Sequence, residues 1–168
     1  YSNMMKAAVA RLARIFPVLC LLLFAGCDSG YDCALENVAY NRIKFYTIGS
    51  DGTEKEYALP DALTVSMMVN GESCIVVNHV TNAKEIKLPM SYTATCDTVI
   101  MDFLDRYSDT LYIGHSNIPI YQSMECGVIM HHRLTATTST NVIIDSLAVN
   151  ETNVNFDNNE NIKLYFTE

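Results

Sequence analysis

The sequence contains no tryptophan, only seven glycines, and few basic residues, with 11 Lys+Arg against 19 Asp+Glu. Each shortage excludes something. A chain of formal net charge −8 lacks the basic face that neutralises phosphates, so nucleic acid is not an expected partner. The motifs that carry common catalytic chemistry are missing: no Gly-x-Gly-x-x-Gly, no Walker loop, no Gly-x-Ser-x-Gly elbow and no His-Glu-x-x-His. No Cys-x-x-Cys spacing occurs, which removes a thioredoxin-like redox pair. Without tryptophan, the ten tyrosines are the main candidates for a sugar-stacking platform, and cross-strand packing accounts for them equally well. No Pro-rich or Gly/Ser-rich linker and no internal repeat interrupts the chain, which predicts one domain. What is present is an apolar content of 49% with 18% charged residues, too hydrophobic for an intrinsically disordered chain.

The N-terminal region reads as an address. Lys6, Arg11 and Arg14 precede an apolar run from Ile15 to Gly26, which is the layout of an export signal. A run of this length is too short for a spanning helix, which needs about 20 apolar residues. It ends Leu23-Phe24-Ala25-Gly26-Cys27. That ending resembles the bacterial lipobox, with Phe24 where leucine is commonest, and the resemblance implies that Cys27 is acylated and becomes the first residue. The expected organisation is a signal peptide over 1–26, a polar tether over 27–34 and one β domain over 35–168. Removing Lys6, Arg11 and Arg14 leaves 8 basic against 19 acidic residues, so the remaining 142 residues carry a net charge of −11.

Beyond the tether, apolar residues alternate with polar ones at the strand period, which gives each strand one apolar row for a shared core. The rows are Ile43 and Phe45; Leu63 to Val69; Ile86, Leu88 and Met90; Val99, Met101 and Phe103; Leu111 and Ile113; and Ile162, Leu164 and Phe166. Tyr57 to Leu59 reads as a short strand, and Gly127 to Leu134 and Asn141 to Val149 as long ones. Asp51-Gly52 and Asn70-Gly71 are turn signals, the latter a strong hairpin signal. Asp105 to Asp109 reads as a turn. Helical windows are nearly absent, limited to a possible turn over Asp32 to Asn37. The fold class expected is all-β: an antiparallel sandwich or partly open barrel of about nine to ten strands.

Setting aside Cys20 in the signal and the acylated Cys27, four cysteines remain: Cys33, Cys74, Cys96 and Cys126. In an exported domain they suggest two disulfides, with three connectivities open. Joining Cys33 to Cys126 would staple the chain start to a late strand, closing a loop worth about 4–5 kcal/mol in the chain-entropy model. Cys74 and Cys96 would then pair with each other. His131 and His132 are adjacent, so on a strand they face opposite sides and cannot share a metal unaided. His79 and His115 are isolated. Asp157, Asn159, Asn161 and Glu168 match calcium-loop positions 1, 3, 5 and 12, but Ile162 stands where that loop needs glycine, so this cluster reads as a turn. No metal, cofactor or catalytic residue is therefore expected.

Several short motifs follow in series: Cys27 with Asp32-Cys33; Phe45-Tyr46 before Asp51-Gly52-Thr53; Asp109-Thr110-Leu111; Glu125-Cys126-Gly127; Ile144-Asp145-Ser146; and Asn161-Ile162-Lys163-Leu164-Tyr165. The series resembles a domain-of-unknown-function family of small lipoproteins of Bacteroidota. The resemblance implies a β-rich, membrane-anchored domain and favours pairing of Cys33 with Cys126, since both lie in the shared motifs. Cys74 and Cys96 lie outside them. It carries over no activity or ligand. The expected role is a palmitate-anchored outer-membrane protein, on the periplasmic face or the cell surface, serving as a non-catalytic module for an envelope protein or glycan. The alternative is an envelope hydrolase with a dispersed acid/His site.

Overall fold

A computed structural model describes residues 38–167 apart from Asp105 and Glu125. The expected signal, tether, Cys27, Cys33, the possible turn over Asp32 to Asn37, and Glu168 lie outside the described residues. The strands are β1 (Tyr40–Ile48), β2 (Glu54–Glu56), β3 (Leu63–Val69), β4 (Glu72–Val80), β5 (Glu85–Pro89), β6 (Cys96–Phe103), β7 (Tyr107–Ser123), β8 (Gly127–Ser139), β9 (Ser146–Val149), β10 (Asn153–Val154) and β11 (Ile162–Tyr165). They form two open sheets. One runs β2-β1-β11-β9, with β5 also on β1; the other runs β10-β8-β7-β6-β3-β4. The all-β expectation holds, with eleven strands among the described residues and one departure from antiparallel pairing. β1 pairs in parallel with β11, Ile43 opposite Ile162 and Phe45 opposite Leu164.

The inward rows of both sheets merge into one core. Ile43 and Phe45 of β1, Leu63 and Val65 of β3, Val99 and Met101 of β6, and Ile162 and Leu164 of β11 are all fully buried. Phe166, just past β11, lies edge-on to Phe45 (5.6 Å) and to Phe103 (6.1 Å) and stacks on Tyr57 (5.8 Å), joining the two sheets through aromatic contacts. The Asn70-Gly71 signal is realised as a two-residue hairpin loop between paired Val69 and Glu72. Both loop residues have positive φ, 53° and 85°, the geometry that matches strand twist and that asparagine and glycine tolerate.

Two strand expectations are corrected. The strand near Tyr57 forms three residues earlier, as β2, where Tyr46, Thr47 and Ile48 face Glu56, Lys55 and Glu54. Tyr57 and Leu59 instead tie down as coil, their amides donating to Phe45 O and Ala83 O. The long strand expected over Asn141–Val149 shrinks to β9, because the amides of Val142, Ile143 and Ile144 are turned onto a side chain rather than a partner strand. That side chain is Asp109, which lies on β7 rather than in the expected turn.

β7 is the longest strand. Its first half pairs with β6 as far as Gly114 opposite Cys96. A bulge at Gly114/His115 follows, where an added Cβ would come within 3.2 Å of Ala136 O. Beyond it β7 pairs only with β8, so the hairpin runs about 24 Å past the end of β6 at ~3.4 Å per residue. Val38 forms a parallel bridge to Met130 of β8, close to where β10 pairs with His132 and Arg133.

Candidate functional site

The inward apolar rows do not stop at their last apolar residue. Two residues before Val99 on β6 is Asp97; two after Ile113 on β7 is His115; two before Leu134 on β8 is His132; two before Ile43 on β1 is Asn41. All four are buried. The same period-2 rule that fills the core therefore gives its rows polar ends, three of them on the adjacent strands β6, β7 and β8.

Asn117 joins the two histidines. Its Oδ1 lies 2.9 Å from His115 Nδ1 and 2.8 Å from His132 Nδ1, while its Nδ2 donates to Ala94 O at 2.9 Å. One carbonyl oxygen can accept an Nδ1–H from both rings. His115 Nε2 sits 3.1 Å from Asp97 Oδ2, within ion-pair reach but without the alignment of a hydrogen bond. Asp97 Oδ2 also accepts from Ser91 N at 3.1 Å. The two rings meet edge to face at 5.3 Å, and Tyr92 stacks on His132 at 5.8 Å. Burial pushes His132 down to about 4, helped by the charges of His115 and His131. His132 is thus neutral at pH 7, with Nε2 buried and unpaired. Asn41 likewise has no hydrogen-bond partner for either side-chain polar atom among the described residues.

On the other side of Asp97 lies a cleft of about 300 Å³, lined by Met67, Val76, Met90, Ser91, Cys96 and Asp97 among others. This is the small end of ligand-pocket size. Its thioether lining is adaptable.

The remaining sequence candidates are dispersed. Cys74 and Cys96 are free, exposed thiols, which overturns their expected pairing. The reason is topological. β3 separates their strands, Met67 facing Cys74 on one side and Val99 on the other. Two interstrand steps of ~4.8 Å already exceed the usual disulfide Cα separation. Cys126 is disulfide-bonded, and Cys33 lies outside the described residues. His131 packs edge-on against Phe156 at 5.0 Å, and His79 sits exposed on β4 at φ 50°. Of the calcium-loop match, Asp157 bonds Asn155 at the surface while Asn161 is buried in a backbone joint. No group of three or more His, Cys, Asp or Glu is placed to hold a metal among the described residues. The tyrosines do not gather into one platform. Tyr46 donates to Glu160 (2.5 Å) and Tyr165 to Glu54 (3.1 Å), while Tyr40 is exposed at the start of β1 and Tyr107, Tyr112 and Tyr121 are exposed at separate points along β7.

The sequence reading missed the Asp97–His115–Asn117–His132 network and the role of Asp109. The signal was available, since Asp97, Asp109, His115 and His132 each continue an apolar row at period 2. A family described as a family of unknown function (DUF6452) matches residues 62–166, from the start of β3 through the end of β11. No curated protein and no solved structure matches the chain.

Proposed function

Because the chain belongs to the DUF6452 family of unknown function, we propose its role from its own residues: an acylated outer-membrane lipoprotein of Bacteroidota type, whose sandwich is a non-catalytic binding or scaffolding module for an envelope protein or glycan. The observation that carries this reading is the sequence Leu23-Phe24-Ala25-Gly26-Cys27 behind a basic and then apolar segment. Acyl chains on Cys27 hold a folded domain at a membrane without a spanning helix. The buried polar end supports binding over catalysis. Both histidine Nδ1 atoms are committed to Asn117, which is how a core network fixes a unique packing. One observation favours the hydrolase alternative: Asp97 reaches the cleft that Ser91 and Cys96 also line. The deciding experiment is labelled-palmitate incorporation in cells followed by cross-linking from intact envelopes. We expect label in the full chain, none in Cys27→Ser, and a reproducible envelope partner. Unlabelled full chain would sink the anchor, and no partner and no glycan binding would sink the module.

Cys33–Cys126 pairing belongs to the same reading. The Val38–Met130 bridge is parallel, and Cys33 and Cys126 stand five and four residues before its two members. Cys126 is disulfide-bonded, and Cys33 is the partner that the sequence reading favours. Non-reducing peptide mapping after alkylation of the native protein should give one Cys33–Cys126 cross-linked peptide, with Cys74 and Cys96 both alkylated. A Cys74–Cys96 peptide would refute this assignment.

A further inference from the structure

The overhanging end of the β7–β8 hairpin exposes apolar side chains that its fold does not use. Met124 is 89% exposed, and Tyr121 and Val128, a cross-strand pair, are each 62% exposed; Ile120 is also exposed. From Pro119 to Met130 the sequence carries a single formal charge, Glu125, in a chain with 30 charged residues overall. A protruding apolar end of this kind marks an interaction surface.

Val38, the first described residue, pairs in parallel with Met130, four residues after Cys126 on the hairpin end. Val38 lies eleven residue steps after Cys27, a reach of up to about 36–40 Å at full extension. That exceeds the overhang of about 24 Å estimated from the strand rise. On the lipid-anchor reading, a tether of this length lets the hairpin end meet the surface in which Cys27 is held.

We propose that the hairpin end is a membrane-docking element: Tyr121, Met124 and Val128 enter the interfacial region of the lipid bilayer that holds the acylated Cys27. The inference rests on the lipid-anchor reading. Tyrosine suits this depth, with an apolar ring and a polar tip, and thioether and valine side chains gain by leaving water. Docking would give the domain a fixed orientation on the membrane, with the β3–β4 hairpin on the far side of the sheet from β8.

The absence of tryptophan makes the test direct. Met124→Trp in the full, membrane-assembled chain places one reporter at the hairpin end, and Ile75→Trp on exposed β4 is the control. Both are reconstituted into vesicles of phosphatidylethanolamine and phosphatidylglycerol, with and without brominated acyl chains. We expect blue-shifted emission quenched by bromolipid for Met124→Trp, and water-like, unquenched emission for Ile75→Trp. Labelled palmitate on the same samples reads the anchor separately. Acylated protein with an unquenched Met124→Trp reporter would overturn docking and leave the anchor intact. Missing palmitate would overturn both. Equal quenching of the two reporters would show non-specific embedding, and a blue shift that depends on protein concentration without lipid would show a second copy as the occupant; either overturns the proposal.

Discussion

Replacing Asp109 with asparagine is expected to destabilise the domain by about 3–5 kcal/mol, because four hydrogen bonds to a buried charge are lost or weakened together. Asp109 is fully buried on the inward row of β7. Its Oδ1 accepts from Thr140 Oγ1 at 2.6 Å and from Val142 N at 2.7 Å, and its Oδ2 from Ile143 N at 2.7 Å and Ile144 N at 2.8 Å. One carboxylate thus does for residues 140–144 what a partner strand would have done. It also fixes the turn that delivers fully buried Ile144 to the core. Asparagine keeps the shape but turns one oxygen into an NH2, so at least one backbone N–H faces another donor with water excluded. For a domain of this size the loss corresponds to a Tm decrease of about 10–20 °C. A calorimetric decrease of only a few degrees would mean that the loop holds without the carboxylate.

Asp109 also sets a pH signature. Burial alone would raise its pKa, but the bonds from Thr140 and the three amides outweigh it, and the net shift is downward from 3.8. On acidification the unfolded chain takes up this proton before the folded one does. The stabilisation is therefore complete above the ordinary carboxylate range and lost as pH falls through the lowered folded value. Wild-type stability should fall on that limb, and Asp109→Asn should flatten it.

The two residues that most constrain the loops, Asp109 and Asn161, show what the sequence could and could not disclose. The apolar rows were legible because burial on one face imposes a two-residue period wherever a strand lies, and Phe45, Met101, Leu111 and Leu164 all follow it. The Asn70-Gly71 hairpin was legible because its geometry needs positive φ at two adjacent residues. Neither rule sees partners distant in sequence. Val142 to Ile144 are rich in strand-forming residues, and their amides go to a carboxylate 33 to 35 residues earlier. The parallel β1–β11 pairing joins chain ends more than a hundred residues apart, with no turn between them to announce it. Cys74 and Cys96 were paired by elimination, a count that carries no distance. The polar end of the core was hidden for a different reason. Asn41, Asp97, His115 and His132 look like the polar half of an alternation, and only continuing each row past its last apolar residue places them inside.

Asn161 carries the second large effect. It matched a calcium-ligand position, yet it is a buried joint between the sheets' loops. Its Oδ1 accepts from Arg42 N at 3.1 Å, and its Nδ2 donates to Glu151 O at 3.1 Å and Asn153 O at 2.8 Å. Its backbone also bonds Arg42 O and Asn150 N. Asn161→Asp is nearly isosteric, but it sets a carboxylate oxygen against two carbonyl oxygens at a site 2% exposed. We expect a loss of about 3 kcal/mol at neutral pH, from one stranded buried charge and two carbonyls without a donor. The sign of its pH dependence is opposite to that of Asp109. Burial and the facing carbonyls raise the folded pKa of the introduced acid above its unfolded value near 3.9. Between those values the folded state binds more protons, so the variant regains stability on acidification, as the protonated carboxyl donates to one carbonyl. Denaturant midpoints measured from pH 7 to pH 4 should therefore converge between wild type and Asn161→Asp while they fall for wild type alone. Parallel curves would show that the two carbonyls find other donors and that Asn161 is not the joint its contacts describe.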